Sequence, residues 1–175
     1  MPVNPHGGLV QRIQHAQTTF GNVFNKIAST WEGSPINAQR IKDLRASKHR
    51  FEVSQRPYAR IVLLYEPLLD TARTIARGRH GLQCAKDAIR FLREETTEVA
   101  LQRALMADAG DECLRRTRFF DQENFDVSKT ANVISDHLAT INALFCQRLA
   151  LKTGFTKHML ETLSKPLLVP MMTDG

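Results

Sequence analysis

Apolar residues recur at three- and four-residue steps near the start of the chain, from Leu9 through Phe20 to Trp31. This spacing matches the period of an α-helix that has one apolar face. The pattern predicts an amphipathic helix over residues 8–31, ended by the Gly-Ser-Pro sequence that follows. Asn37 is a candidate N-cap for a second, strongly basic helix that extends to about residue 53.

The middle of the chain contains a short apolar run at residues 61–65, which fits either a buried strand or the start of a helix. Pro67 suits a first helical turn, and the pattern predicts a helix from there to a break at residues 78–81. A fourth helix is predicted over residues 82–107, with a turn at the Asp-Ala-Gly-Asp sequence that starts at residue 108.

Residues 111–127 show the weakest pattern, so we expect an irregular segment there. Ser128 is a candidate cap for a long last helix that carries apolar residues from Val133 to Leu149, including Ile134 and Leu138. A short helix is predicted over residues 156–163, followed by a tail that contains two prolines. The predicted fold class is all-α: an antiparallel four-helix bundle with a short extra helix and an irregular C-terminal tail, formed by residues 1–175 as one domain.

Composition narrows the class of protein without identifying a function. Hydrophobic residues make up 42% of the 175 residues and the formal net charge is +6, which is typical of a globular chain with a basic surface. The three cysteines have no metal-ligand spacing, and we expect them to be reduced thiols. The start of the chain does not have the pattern of a secretory signal, and no apolar run has the length of a membrane span. We therefore expect a soluble protein.

Basic residues are concentrated in clusters. Residues 37–60 contain seven basic against two acidic residues, and residues 71–93 contain six against one. A third cluster consists of Arg115, Arg116 and Arg118, followed directly by Phe119 and Phe120. Guanidinium groups bind phosphates with paired hydrogen bonds, and exposed aromatic rings stack on bases. These three arginines are therefore candidate RNA-binding residues, although a solvated helix face above core phenylalanines explains the same pattern.

No catalytic motif is present, and neither a catalytic site, a metal site nor a cofactor is predicted. The six histidines are scattered along the chain. The adjacent carboxylates Glu94–Glu95 and Asp111–Glu112 could act as acid and base or bind calcium, but the sequence favours a solvated helix face and a turn. We do not expect an enzyme.

Two stretches resemble the coat proteins of rod-shaped plant viruses, the tobamovirus-like group with furovirus and benyvirus relatives. The first is Glu-Pro-Leu-Leu at residues 66–69, leading through a helix to Arg-Gly-Arg at residues 77–79. The second runs from the Ala-Thr-Ile-Asn-Ala-Leu-Phe sequence at residues 139–145 to the Gly-Phe-Thr-Lys-His-Met-Leu-Glu sequence at residues 154–161. Leu160 precedes the glutamate where that family usually has phenylalanine.

The resemblance implies a four-helix subunit that stacks into a helical rod and holds single-stranded RNA near its inner radius. It assigns phosphate contacts to Arg40, Arg77 and Arg79. It assigns a flat surface for bases to Asn132, Ser135, Asp136 and Ala139. It also makes Glu66 a carboxylate that meets another across the subunit contact, where repulsion between ionised carboxylates favours disassembly.

The sequence therefore predicts a coat protein that binds RNA without sequence specificity and assembles with itself, located in the virion and the host-cell cytoplasm, with no membrane partner. The alternative is a helical interaction or regulatory module that uses a basic face and does not polymerise.

Overall fold

The computed structural model describes residues 19–31, 58–78, 80–122 and 126–165. Of these residues, 87% are helical and none forms a strand. The predicted all-α class is confirmed. The predicted basic helix over residues 37–53 and the proline-containing tail lie outside the described residues.

The first described helix, α1 (Thr19–Thr30), belongs to the predicted N-terminal amphipathic helix. It buries Phe20, Phe24 and Ala28, which are spaced by four residues and therefore lie on one face. The helical periodicity of this segment is thus confirmed where the structure describes it.

Residues 58–63 are helical and lead into α2 (Tyr65–Arg77). The interruption at Leu64 follows from Pro67, which has no N–H to donate to the carbonyl of Leu63 and whose ring would clash with that carbonyl. Backbone bonds from Leu64 N to Arg60 O (2.9 Å) and from Leu68 N to Leu64 O (3.0 Å) keep both sides helical. The apolar run at residues 61–65 is therefore the start of a helix and not a strand.

The predicted helix over residues 82–107 starts at Leu82 as expected, but its continuity and its end are wrong. The chain forms α3 (Leu82–Glu94) and then α4 (Thr97–Phe120). The new helix starts because the Thr96 side chain accepts a hydrogen bond from Val99 N at 3.3 Å, which is an N-cap. The predicted turn at residue 108 and most of the predicted irregular segment lie inside α4.

Small residues explain why α4 continues through the Asp-Ala-Gly-Asp sequence. Ala100, Ala104, Ala107 and Gly110 are all buried, and their spacing places them along one side of the helix. This side packs against α6 (Gly154–Ser164), since side chains without bulk let two helices approach closely. The predicted short helix at residues 156–163 corresponds to α6.

The predicted long last helix is shorter than expected. Asp126, and not Ser128, caps a 3-10 turn at Val127–Lys129, and α5 (Thr130–Ile141) follows. The chain then forms a π turn at Asn142–Cys146 and a 3-10 turn at Leu149–Leu151. No residue of α5 is buried, and Ile134 and Leu138, expected to face inward, are 47% and 63% exposed.

One hydrophobic core joins α1, residues 58–64, α2, α3, α4 and α6. Helices α2 and α3 pack against each other across the short turn after Arg77, as a helical hairpin does. Helix α5 contributes no residue to this core and contacts α4 from outside. The assignment of residues 1–175 to one domain stays a prediction.

Candidate nucleic-acid interface

The C-terminal half of α2 forms one wall of a shallow groove of about 620 Å³, lined by Ile27, Asp70, Arg73, Thr74, Arg77 and Gly78. Arg73 is paired with Asp70 at 3.0 Å. Arg77 is exposed and has no acidic partner among the described residues. Of the phosphate-binding candidates, Arg77 therefore has a free guanidinium at the surface, whereas Arg40 and Arg79 lie outside the described residues.

The three arginines of the third cluster lie on α4, and two of them, Arg115 and Arg116, contact one buried carboxylate, Glu112. Arg115 Nη2 donates to Glu112 at 2.6 Å and Arg116 Nε donates to it at 3.0 Å. The Arg115 side chain is 61% exposed, whereas that of Arg116 is 18% exposed. Arg115 can therefore reach a ligand from solvent, while Arg116 is held mainly within the protein.

His137 of α5 is the third partner of Glu112, with Nδ1 at 3.2 Å from Oε1. Burial by itself raises the pKa of Glu112, but the hydrogen bonds from His137, Arg116 and Arg115 outweigh that effect and lower the pKa below its usual value. Glu112 thus stays ionised and joins the arginine cluster to α5.

Arg118 completes the cluster without an acidic partner among the described residues. It lines a groove of about 450 Å³ together with Asp111, Leu114, Arg115, Phe119 and Gln122. Phe119 packs edge-to-face against Phe120, with ring centroids 5.7 Å apart. Neither phenylalanine belongs to the buried core. The groove therefore combines two guanidinium groups and one carboxylate with aromatic surface.

The candidate base-contacting residues lie together on α5. Asn132, Ser135, Asp136 and Ala139 are all exposed, and their spacing of three and four residues places them on one face of the helix. His137 and its contact with Glu112 lie on another side of α5. The face opposite the attachment to α4 is thus small, polar and open.

Glu66, the candidate subunit-contact carboxylate, lies in the first turn of α2 and accepts a hydrogen bond from Lys165 Nζ at 2.8 Å. Its side chain is 18% exposed. In this chain the carboxylate therefore already has a basic partner. Its role in a subunit contact stays a prediction.

The structure brings the α4 arginines together and links them to α5. Arg77 lies on a different part of the molecule, because α2 packs with α1 and α3. The sequence provided one signal for the α4 cluster, since Glu112 precedes Arg115 and Arg116 by three and four residues, the spacing at which helical side chains meet.

Two buried carboxylates were not recognised from the sequence. Glu95, which the sequence suggested was solvated, has a fully buried side chain paired with Arg103 at 2.5 Å. Burial raises the pKa of Glu95. Burial also raises the pKa of Tyr65, to about 12, and the negative charge of the nearby Glu95 contributes to that increase. Asp108 accepts hydrogen bonds from the first turn of α6. No local pattern could have indicated either contact, because the partners are distant in sequence.

Among the described residues, no helix combines the length and apolarity needed to span a membrane. The same part of the chain contains no group of three or more His, Cys, Asp or Glu side chains arranged to hold a metal ion.

Comparisons of the chain with models of protein families, with curated proteins and with solved structures find no match.

Proposed function

We propose that this chain is a coat protein that assembles into a helical rod around single-stranded RNA. Clustered arginines bind the phosphates without sequence specificity, and the polar face of α5 lies against the bases. The product is a virion that forms in the cytoplasm of a host cell. The proposal rests on the sequence resemblance together with the surface of the described residues.

The observation that carries the proposal is the surface of α5. A twelve-residue helix with no buried residue presents Asn132, Ser135, Asp136 and Ala139 on one face, while Ile134 and Leu138 remain exposed elsewhere on it. A polar face of small residues suits contact with bases of any type. Contact with another subunit would bury these exposed apolar side chains.

The charge distribution supports RNA as the ligand. Arg77 and Arg118 are exposed on two different helices and have no acidic partner among the described residues, and Arg115 is exposed beside Arg118. Neutralising phosphates with such side chains releases counterions, which gives affinity that is independent of sequence and sensitive to salt. Arg40 and Arg79 extend this set in the proposal.

We also propose that the main helices form the antiparallel four-helix arrangement of a rod-forming subunit, with α6 as the short additional helix. The shared core of α1, α2, α3 and α4 supports this arrangement. Glu66 and its basic partner Lys165 then lie where subunits meet, and the role of the chain is structural rather than enzymatic.

The RNA-binding part is tested by measuring affinity for two labelled single-stranded RNAs of unrelated sequence over a range of salt concentrations. The variant Arg77→Ala/Arg118→Ala should bind both RNAs more weakly. Its slope of log K against log salt should fall by about 0.7 for each lost phosphate contact. A control with the same loss of charge, Lys152→Ala/Lys157→Ala, removes two exposed lysines outside the clusters.

Equal slopes of log K against log salt for the two double variants would contradict the assignment of Arg77 and Arg118 as phosphate-binding residues. Replacing Arg40 and Arg79 together with alanine should likewise weaken RNA incorporation and leave the fold intact, and an unchanged RNA content of assembled particles would remove those assignments.

Discs, stacks or rods in negative-stain microscopy support self-assembly. A monomer or dimer at high concentration, with or without RNA, instead favours the alternative, a helical interaction module that does not polymerise.

A further inference from the structure

An apolar groove lies where residues 58–63, α4 and the π turn meet. Most of its lining residues are apolar, in contrast to the arginine-lined grooves described above. It encloses about 570 Å³, within the range of about 300–1,000 Å³ that small-molecule sites occupy. Its walls are formed by Tyr58, Val99, Leu105, Met106, Ala109 and Phe145. A ligand with a hydrocarbon or aromatic body would bury apolar surface on all of these side chains.

Among the described residues, one charged side chain, that of Arg103, lines this groove. The Arg103 side chain is 6% exposed, and its Nη1 donates to Glu95. The remaining N–H donors of Arg103 have no acceptor among the described residues, and the neighbouring lining residue Gln102 adds an amide. An oxygen acceptor placed beside this charged donor gains a strong hydrogen bond.

The charge balance selects the class of ligand. Glu95 neutralises Arg103, and no other charged side chain of the described residues lines the groove. An anionic ligand would add an uncompensated charge to an apolar site beside a buried carboxylate, which is unfavourable. A carbonyl oxygen accepts the same hydrogen bond without adding a charge.

The wall at Phe145 belongs to the five-residue π turn Asn142–Cys146. Such segments are uncommon in helices and are found frequently at functional sites, where they change the direction of a side chain. From the groove, the Arg103 guanidinium in its lining and this π turn, we propose that the groove binds a small neutral molecule with an apolar, aromatic-sized body and one carbonyl oxygen, which accepts a hydrogen bond from Arg103.

The experiment uses Nile red, a neutral dye with a carbonyl group whose fluorescence rises in apolar surroundings. The full chain should bind it saturably, with one dye per chain. Three naphthalenes that share a body then compete for the site: 2-acetylnaphthalene, 2-ethylnaphthalene and 2-naphthoate. We expect 2-acetylnaphthalene to displace the dye at concentrations about tenfold lower than the other two, since a hydrogen bond to a charged donor distinguishes it.

Two variants locate the site. Met106→Glu places a carboxylate at a residue that is 47% exposed, and Ala109→Leu fills part of the groove. Both should abolish or strongly weaken dye binding with little effect on unfolding. The matched controls Leu82→Glu and Leu138→Glu alter exposed apolar residues outside the lining, at 74% and 63% exposure, and should leave dye binding unchanged.

Unchanged dye binding in both groove variants would overturn the proposal, as would a larger loss in the controls. If 2-ethylnaphthalene displaces the dye as well as 2-acetylnaphthalene does, Arg103 does not contribute a hydrogen bond to the ligand. If 2-naphthoate displaces the dye at lower concentrations than 2-acetylnaphthalene, the groove prefers an anion and the proposed neutral ligand is wrong. If Met106→Glu prevents self-association and leaves dye binding intact, the groove is occupied by a second copy of the chain instead.

Discussion

Replacing Asp108 with alanine removes the carboxylate that holds the first turn of α6 against α4. Asp108 is 8% exposed and lies inside α4. Its Oδ1 accepts from Phe155 N at 2.8 Å, and its Oδ2 accepts from Thr156 N at 2.9 Å and from Thr156 Oγ1 at 2.6 Å. A residue from a different helix thus performs the function of an N-cap, and its negative charge is also favourable at that end of the helix dipole.

The free-energy cost follows from those three bonds. Loss of an N-cap costs about 0.5–2 kcal/mol, and leaving the buried Thr156 donors without an acceptor adds about 1–3 kcal/mol. We therefore expect Asp108→Ala to lower the free energy of unfolding by about 1.5–5 kcal/mol. Asp108→Asn keeps one oxygen acceptor and should cost about half as much.

Gly154 provides an independent test of the same contact. Its φ is +70°, a conformation that costs about 1–2 kcal/mol for a residue with a side chain. A Cβ at this position would also overlap the Asp108 carboxylate. Gly154→Ala should therefore be more destabilising in the parent chain than in Asp108→Ala, where the overlap is relieved, so the two substitutions are not additive.

The assay is urea-induced unfolding followed by far-UV circular dichroism and by the fluorescence of the single tryptophan, Trp31, at low protein concentration. Asp121→Ala, a substitution of an exposed aspartate at the C-terminal end of α4, is the control and should change stability by less than about 0.5 kcal/mol. A change no larger than this in Asp108→Ala would refute the capping argument. Equal costs of Gly154→Ala in the two backgrounds would refute the steric argument.

Three further substitutions test other contacts. Glu112→Gln should lower the free energy of unfolding at neutral pH and make it less dependent on pH in the acid range. Folding lowers the pKa of Glu112, so the ionised carboxylate stabilises the protein above its unfolded pKa, and this contribution is lost as the pH falls through the folded pKa. Parallel pH profiles of parent and variant in urea titrations would contradict this. Thr96→Ala removes the N-cap of α4 and should cost about 1 kcal/mol in the same assay, whereas Thr97→Ala, one residue later and exposed, should cost less; equal costs would contradict the cap. Leu138→Glu should leave stability within about 0.5 kcal/mol of the parent but reduce self-association in sedimentation velocity, and an unchanged distribution of species would exclude the exposed side of α5 as a subunit contact.

The helices that supply large side chains to the core could be predicted from the sequence. Phe20 and Phe24 in α1, and Leu68 and Leu69 in α2, are buried as their spacing indicated. In these segments the local periodicity and the tertiary packing favour the same structure. The place of Pro67 in the first turn of α2 and the end of α2 after Arg77 were equally accessible, because proline and glycine act on the backbone locally.

Helix α4 could not be predicted in the same way. Asp108 and Gly110 are typical turn residues. However, the Asp108 carboxylate accepts hydrogen bonds from α6, which is distant in sequence, and Gly110 is buried within α4. Tertiary contacts therefore overrode local preference. The same holds for Glu95, whose buried pairing with Arg103 over eight residues has no local signature.

The candidate interface was predicted in part. The sequence identified the arginines of α4 by composition, but the structure divides them by accessibility, with Arg115 and Arg118 exposed and Arg116 half-buried. That division depends on Glu112 and on His137, which is 25 residues away from it. The polar face of α5 was implied by the resemblance alone, and its exposure follows from the narrow attachment of α5 to α4.

The measurement that tests the central claim most directly is the length of particles formed with RNA. The full chain is mixed at moderate pH and low salt with single-stranded RNAs of two lengths and unrelated sequences, and the products are measured by negative-stain microscopy. A coat protein of the proposed kind forms rods of one diameter whose length is proportional to the length of the RNA and independent of its sequence. Monomers, or particles whose size does not depend on the RNA, would contradict the account.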